Sequence, residues 1–176
     1  DFTTANWTTD YGTTRTKFYD MDDVTFDFSG SKSPPVNILS TVSPHSIYVA
    51  DGPYTLGGSG TISGPGALTN SSGTTLVLLT TNTYSGLTVV SFGDLQLGNG
   101  VQNGSLGSGS VIIGTGGISP VFNRTDPVGA PYFVSNAISG PADFYMEFKS
   151  GATTLAGATS NQRAKAIVRN GATLIL

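Results

Sequence analysis

Cysteine is absent from this 176-residue chain, so no disulfide staples it and no thiolate is offered to a metal or a substrate. Glutamate occurs once, at Glu147, and histidine once, at His45, which follows Pro44 at an expected turn. With one imidazole and no thiol, a transition-metal site or a Ser–His couple has little to build on. Charged residues make up 11% of the chain, against about 25% in ordinary domains. The basic residues Arg15, Lys17, Lys32, Arg124, Lys149, Arg163, Lys165 and Arg169 stand singly in a chain of net charge −3, which argues against nucleic acid as a partner. The longest apolar run, around Leu76 to Leu79, is far short of the roughly 18 residues of a membrane-spanning helix. An initiator Met and a basic-then-apolar leader are also missing, so a processed product that has lost its export signal is expected.

What the chain does contain is 24 Gly, 9 Pro and a wealth of Thr and Ser, with 38% hydrophobic residues and 10% aromatics. That apolar content, combined with low net charge, disfavours disorder. The scarcity of Glu, Lys and Arg and the dominance of Val, Ile, Thr, Tyr and Phe point to strands, in one domain long enough to bury a continuous core.

Strand-length apolar runs recur between turn-forming clusters: VTFDF at 24–28, VNILSTV at 36–42, SIYVA at 46–50, TTLVLL at 74–79, LTVVS at 87–91 and DLQLG at 94–98. They continue with SVIIG at 110–114, YFVSNAI at 132–138, DFYMEF at 143–148, AKAIVR at 164–169 and ATLIL at 172–176. Period-two alternation places Val24, Phe26 and Phe28 on one face, and Leu95 and Leu97 opposite Asp94 and Gln96. Residues 73–97 and 151–176 also match each other, Gly73 with Gly151, Val77 with Leu155, Val89 and Val90 with Ile167 and Val168, and Gly93 with Gly171. Repeated short strands around glycine corners are the mark of a solenoid, in which each coil buries its apolar face only when a neighbour stacks on it. A β-sandwich is the alternative architecture, since regularly spaced short strands suit it too.

The stretch from Gly58 to Gly98 closely resembles the autotransporter-associated β-strand repeat, through Gly73, Leu76, Leu78, Asn82, Tyr84, Gly86, Thr88, Val89, Gly93, Leu95, Leu97 and Gly98. Residues from Trp7 to Gly60 resemble the segment that often precedes this repeat in large bacterial surface proteins, and NGSLGSGSVIIG the strand that follows it. The resemblance implies a right-handed parallel β-helix in an exported bacterial passenger or surface protein, and brings no catalytic residue with it. Residues 1–57 then form an amino-terminal cap and first coils, 58–117 the best-matching repeat, 118–140 an irregular stretch that departs from the pattern, and 141–176 a degenerate second repeat. Glycine at corners would permit conformations a Cβ obstructs, Leu and Val rows would fill the interior, and Thr would sit outward. Asn82 is expected either in a turn or in an amide ladder to the next coil.

Asp20, Asp22 and Asp23, with Asp27 nearby, are the densest acidic group and the candidate calcium ligands. They lack the Gly and distal Glu of an EF-hand loop, and a solvated turn is the plainer alternative. A polysaccharide-cleaving β-helix would need paired carboxylates over one cleft. Only Asp94, Asp126, Asp143, Glu147, Lys149 and Arg124 are on offer, of which Asp143, Glu147 and Lys149 alternate in register. Trp7, Tyr11, Phe18 and Tyr19 suit a sugar-stacking surface or a lid on an open solenoid end. Asn6, Asn70, Asn103 and Asn123 head glycosylation sequons, which matter only if the source modifies Asn.

The expectation is therefore no enzyme and no cofactor. The chain would be an extracellular or cell-surface structural subunit that self-associates into a homopolymer, or alternatively a passenger fragment that binds a glycan or host ligand.

Overall fold

The computed structural model describes residues 2–9, 13–30, 35–157 and 164–176. Among these residues there is no helix. The strands are β1 (Trp7–Thr9), β2 (Thr14–Thr16), β3 (Asp23–Phe26), β4 (Val36–Asn37), β5 (Ser46–Val49), β6 (Tyr54–Gly57), β7 (Ala67–Asn70) and β8 (Thr75–Leu78). They continue with β9 (Thr88–Leu97), β10 (Val111–Asn123), β11 (Tyr132–Val134), β12 (Ile138–Ser139), β13 (Tyr145–Leu155), β14 (Lys165–Val168) and β15 (Ala172–Ile175).

The strands stack as a parallel β-solenoid of about seven turns. One ladder runs β3, β5, β7, the first half of β9, the first part of β10 and β12, with Thr25, Tyr48, Thr69, Val89, Ile112 and Ser139 in one outward register row. A second runs β4, β6, β8, the second half of β9, the end of β10, the first half of β13 and β14, aligning Val36, Leu56, Leu78, Leu97, Phe122, Phe148 and Val168. A third joins β11, the second half of β13 and β15, and the bridge from Val42 to Ile62 lies in the earlier coils. Every one of these pairings is parallel, which rules out the face-to-face antiparallel layers of a sandwich; β1 and β2 alone form an antiparallel hairpin.

The core follows from alternation. Leu76 and Leu78, Leu95 and Leu97, and Val90 point inward and are buried, while Val89, Asp94 and Gln96 are partly exposed on the other side. Phe122 and Phe148, one coil apart, stack with centroids 4.9 Å apart and planes 6° apart. Two details differ from the sequence expectation. Phe28 is exposed instead of sharing the buried face of Val24 and Phe26, because β3 ends at Phe26 and Asp27 starts a turn, its Oδ1 accepting from the Ser29 amide at 2.9 Å. Thr88 is buried rather than outward, and its hydroxyl is hydrogen-bonded to the Tyr84 hydroxyl at 2.8 Å inside the core.

Glycine acts in two ways at the corners. At Gly93, where β9 bends from the first ladder into the second, φ is +81°, and a Cβ would collide with the backbone of Thr74. Gly66, Gly86 and Gly109 form a column in which a Cβ on each would strike a carbonyl of the coil beneath: Pro44, Gly66 and Gly86 respectively.

The matched segments 73–97 and 151–176 do not occupy the same face. Gly73 and Gly93 precede second-ladder strands, whereas Gly151 and Gly171 precede pairing in the third ladder. The similarity reflects a shared grammar of glycine corner followed by alternating strand, used at two different corners. Within the stretch 118–140, β10 continues to Asn123 and pairs in step with β9 from Ser119–Asp94 to Phe122–Leu97, its register shifts falling just before, between Ile113 and Ser119, and β11 and β12 follow.

Candidate functional site at the ends of the solenoid

Buried asparagines stitch the coils together. Asn82 Oδ1 accepts from the Ile62 amide at 3.2 Å and from the Thr80 hydroxyl at 2.9 Å, and its Nδ2 donates to the Ser105 carbonyl at 2.7 Å. It is thus neither a surface turn residue nor a rung of an amide ladder, but a clamp across three coils. Asn70 Nδ2 donates to the carbonyls of Thr74 and Asp94, and Asn136 Nδ2 to those of Gly107 and Gly109. Asn70 is only 1% exposed, which removes it as a glycosylation acceptor in the folded chain.

The catalytic alternatives are not brought together. Arg124 is buried; its Nε donates to Asp126 Oδ2 at 2.6 Å, its Nη1 to the Gly104 carbonyl, and its guanidinium lies over the Tyr132 ring at 3.6 Å from the centroid. Burial pushes the phenols of Tyr132 and Tyr84 above their ordinary range. Asp143 sits in a turn at φ +65°, outside β13, so the alternation expected with Glu147 and Lys149 fails there. Asp143 pairs with Lys165 at 3.5 Å, and Glu147 with Arg169 at 2.8 Å and Lys149 at 3.7 Å. Asp94 lies on a separate coil, with Oδ2 3.5 Å from the Thr75 hydroxyl. These carboxylates are spread over several coils, most of them matched to cations.

The acidic cluster is spent on local structure. Asp20 Oδ1 accepts from the Ser43 amide at 2.8 Å, and Asp22 Oδ2 from the Tyr19 amide at 2.8 Å. Asp23 Oδ1 is bonded to the Ser46 hydroxyl at 2.5 Å and to His45 Nδ1 at 2.8 Å. The Ser46 bond first, then His45, holds the Asp23 carboxyl below the usual carboxylate range, and Ser29 does the same for Asp27. Among the described residues, no group of three or more His, Cys, Asp or Glu side chains is placed to hold a metal ion.

The amino-terminal end is dressed with aromatics. Trp7 stands 5.6 Å from Phe26 and 6.3 Å from Phe18, ring to ring, and Phe2 is 5.6 Å from Phe18. Phe18 is buried, Trp7 half-buried and Tyr19 exposed, while Tyr11 lies outside the described residues. Beneath this lid an apolar cavity of about 350 Å³ is lined by Val24, Phe26, Ile38, Ile47 and Leu56 among others. Beside it a cleft of about 630 Å³ runs between the hairpin and β3, lined by Trp7, Thr8, Thr16, Tyr19, Asp23 and Asp27 among others. Sequence reasoning singled out Trp7, Phe18 and Tyr19 of this cleft and the acidic group of Asp22, Asp23 and Asp27, but not its threonines, because nothing in their spacing announces that the hairpin folds back beside β3.

Among the described residues β3 pairs with β5 alone, and β14 and β15 each pair only with β13. Val168 and Leu176 are exposed in or beside that last rung. No helix of the described residues is long and apolar enough to cross a membrane.

No family model, no curated protein and no solved structure matches the chain.

Proposed function

We propose that this chain is a structural subunit of an extracellular or bacterial cell-surface filament, assembled through the ends of the solenoid. The observation that carries the reading is that, among the described residues, β3 borders the 630 Å³ cleft and pairs with β5 alone, while β14 and β15 each pair with β13 alone. Unpaired edges recruit strands from other chains unless they are blocked. The low charge and the resemblance of residues 58–98 to the autotransporter-associated repeat support a location outside the cell. Negative-stain electron microscopy across a concentration series tests it: filaments that lengthen with concentration support the reading, and uniform monomers at the highest concentration overturn it.

A passenger fragment that holds a glycan is the second reading, favoured by the cleft's pairing of Trp7 and Tyr19 with hydroxyls and carboxylates. Glycan-array binding that is lost in Tyr19→Ala, a surface change that spares the lid, would favour it over assembly.

A further inference from the structure

Resting on the filament reading, we infer that the joint is polar and electrostatic: the acidic cleft beside β3 receives the basic β14–β15 rung of a second copy of this chain. The charge distribution identifies the occupant. Among the described residues, every charged residue lining the cleft is acidic: Asp22, Asp23 and Asp27. Beyond Glu147 the sequence contains Lys149, Arg163, Lys165 and Arg169 and no acidic residue. Lys165 and Arg169 flank the last second-ladder strand and keep 51% and 60% of their side-chain surface in solvent even while paired with Asp143 and Glu147.

Backbone geometry agrees with the charges. Each stacked pair within the solenoid is parallel, so a second copy placed head to tail extends the same strand direction, turned about the axis so that β14 and β15, of the second and third ladders, meet β3 of the first. Such a contact joins two different surfaces and does not close on itself, so it propagates as a filament rather than stopping at a dimer. Exposed Val168 adds apolar surface on the tail side, and exposed Phe28, which lines the cleft, offers it on the head side.

Reversing charge at one end at a time tests this. Asp23→Lys with Asp27→Lys makes the head basic, and Lys165→Glu with Arg169→Glu makes the tail acidic. Each variant alone then sets like charge against like, and its critical concentration should rise by about tenfold or more. An equimolar mixture should polymerise again, because each altered end meets a complementary end on the other variant. If both folded variants polymerise alone as well as the parent chain, the polar joint is wrong while the filament reading stands. Failure of the folded mixture also overturns the joint, and a parent chain that never polymerises removes the filament reading and the joint together. Should circular dichroism show either variant unfolded, the parent chain decides alone: assembly should slow by roughly tenfold from low to high salt, and salt-indifferent assembly contradicts the inference.

Discussion

The side-chain amide of Asn82 donates to the carbonyl of Ser105 at 2.7 Å while the Asn82 backbone amide donates to the Ser105 hydroxyl at 2.8 Å, so two residues on successive coils are locked by a pair of bonds that Asn82 donates and Ser105 accepts. Asn82→Ala should therefore leave the Ile62 amide and the Ser105 carbonyl unsatisfied in the interior and destabilise the fold by about 2–3 kcal/mol. A thermal melt reads this as a midpoint lowered by several degrees. An unchanged midpoint would mean that the clamp contributes nothing.

Gly86 and Gly73 separate two reasons for glycine. At Gly73 φ is +71° and a Cβ meets nothing within 4 Å, so Gly73→Ala should cost only about 1–2 kcal/mol for the left-handed conformation. At Gly86 the Cβ would press into the Gly66 carbonyl and force two coils apart. Gly86→Ala should cost more than about 4 kcal/mol or abolish soluble folding. Denaturant titrations that rank the two variants in the opposite order would contradict the column.

These two residues also show what the sequence reveals and what it hides. Leu76, Leu78, Leu95 and Leu97 alternate cleanly, and their burial in one ladder was legible because a strand's period of two is printed directly in the residue order. The corner chemistry is less transparent. Gly73 and Gly86 look alike in sequence, yet one serves backbone conformation and the other close approach, a distinction set by the coil beneath. Phe28 continues the alternation of Val24 and Phe26 but is turned out by the Asp27 turn, a local bond that outweighs one apolar side chain. The strands β6 and β7 and the joining of residues 88–97 into one bent strand were likewise hidden, because Gly93 reads as a break when it is a hinge within a strand. At the candidate site, Trp7 and Phe18 were legible as members of an aromatic group near the amino-terminal end, and their rings lie 6.3 Å apart. The cleft beside them was not, since it arises only where the hairpin lies against β3.

The Arg124–Asp126 pair predicts non-additivity. Asp126→Ala leaves a guanidinium largely enclosed with only Gly104 and the Tyr132 ring for company, and should destabilise by about 3 kcal/mol. Replacing both, with Arg124→Met and Asp126→Leu, should recover most of that loss, since a well-packed apolar pair can substitute for a buried ion pair. A double-mutant cycle by chemical denaturation checks it, and simple additivity would show the pair to be energetically uncoupled.

Alkaline stability follows from the phenols. Tyr84 and Tyr132 have folded pKa values raised by burial above the unfolded value near 10.0. Their neutral-form contribution is fully present below pH 10 and is lost as pH rises through the folded values. Unfolding midpoints should thus hold steady through neutral pH and fall above about pH 10, with a smaller fall in Tyr84→Phe. A fall of equal size in that variant would assign the effect elsewhere.

Fibre diffraction from oriented filaments tests the account most directly. Coils stacked along the filament axis require the strand-spacing reflection near 4.8 Å to lie on the meridian. An equatorial reflection at that spacing, with the rods lying across the filament, would contradict assembly through the solenoid ends.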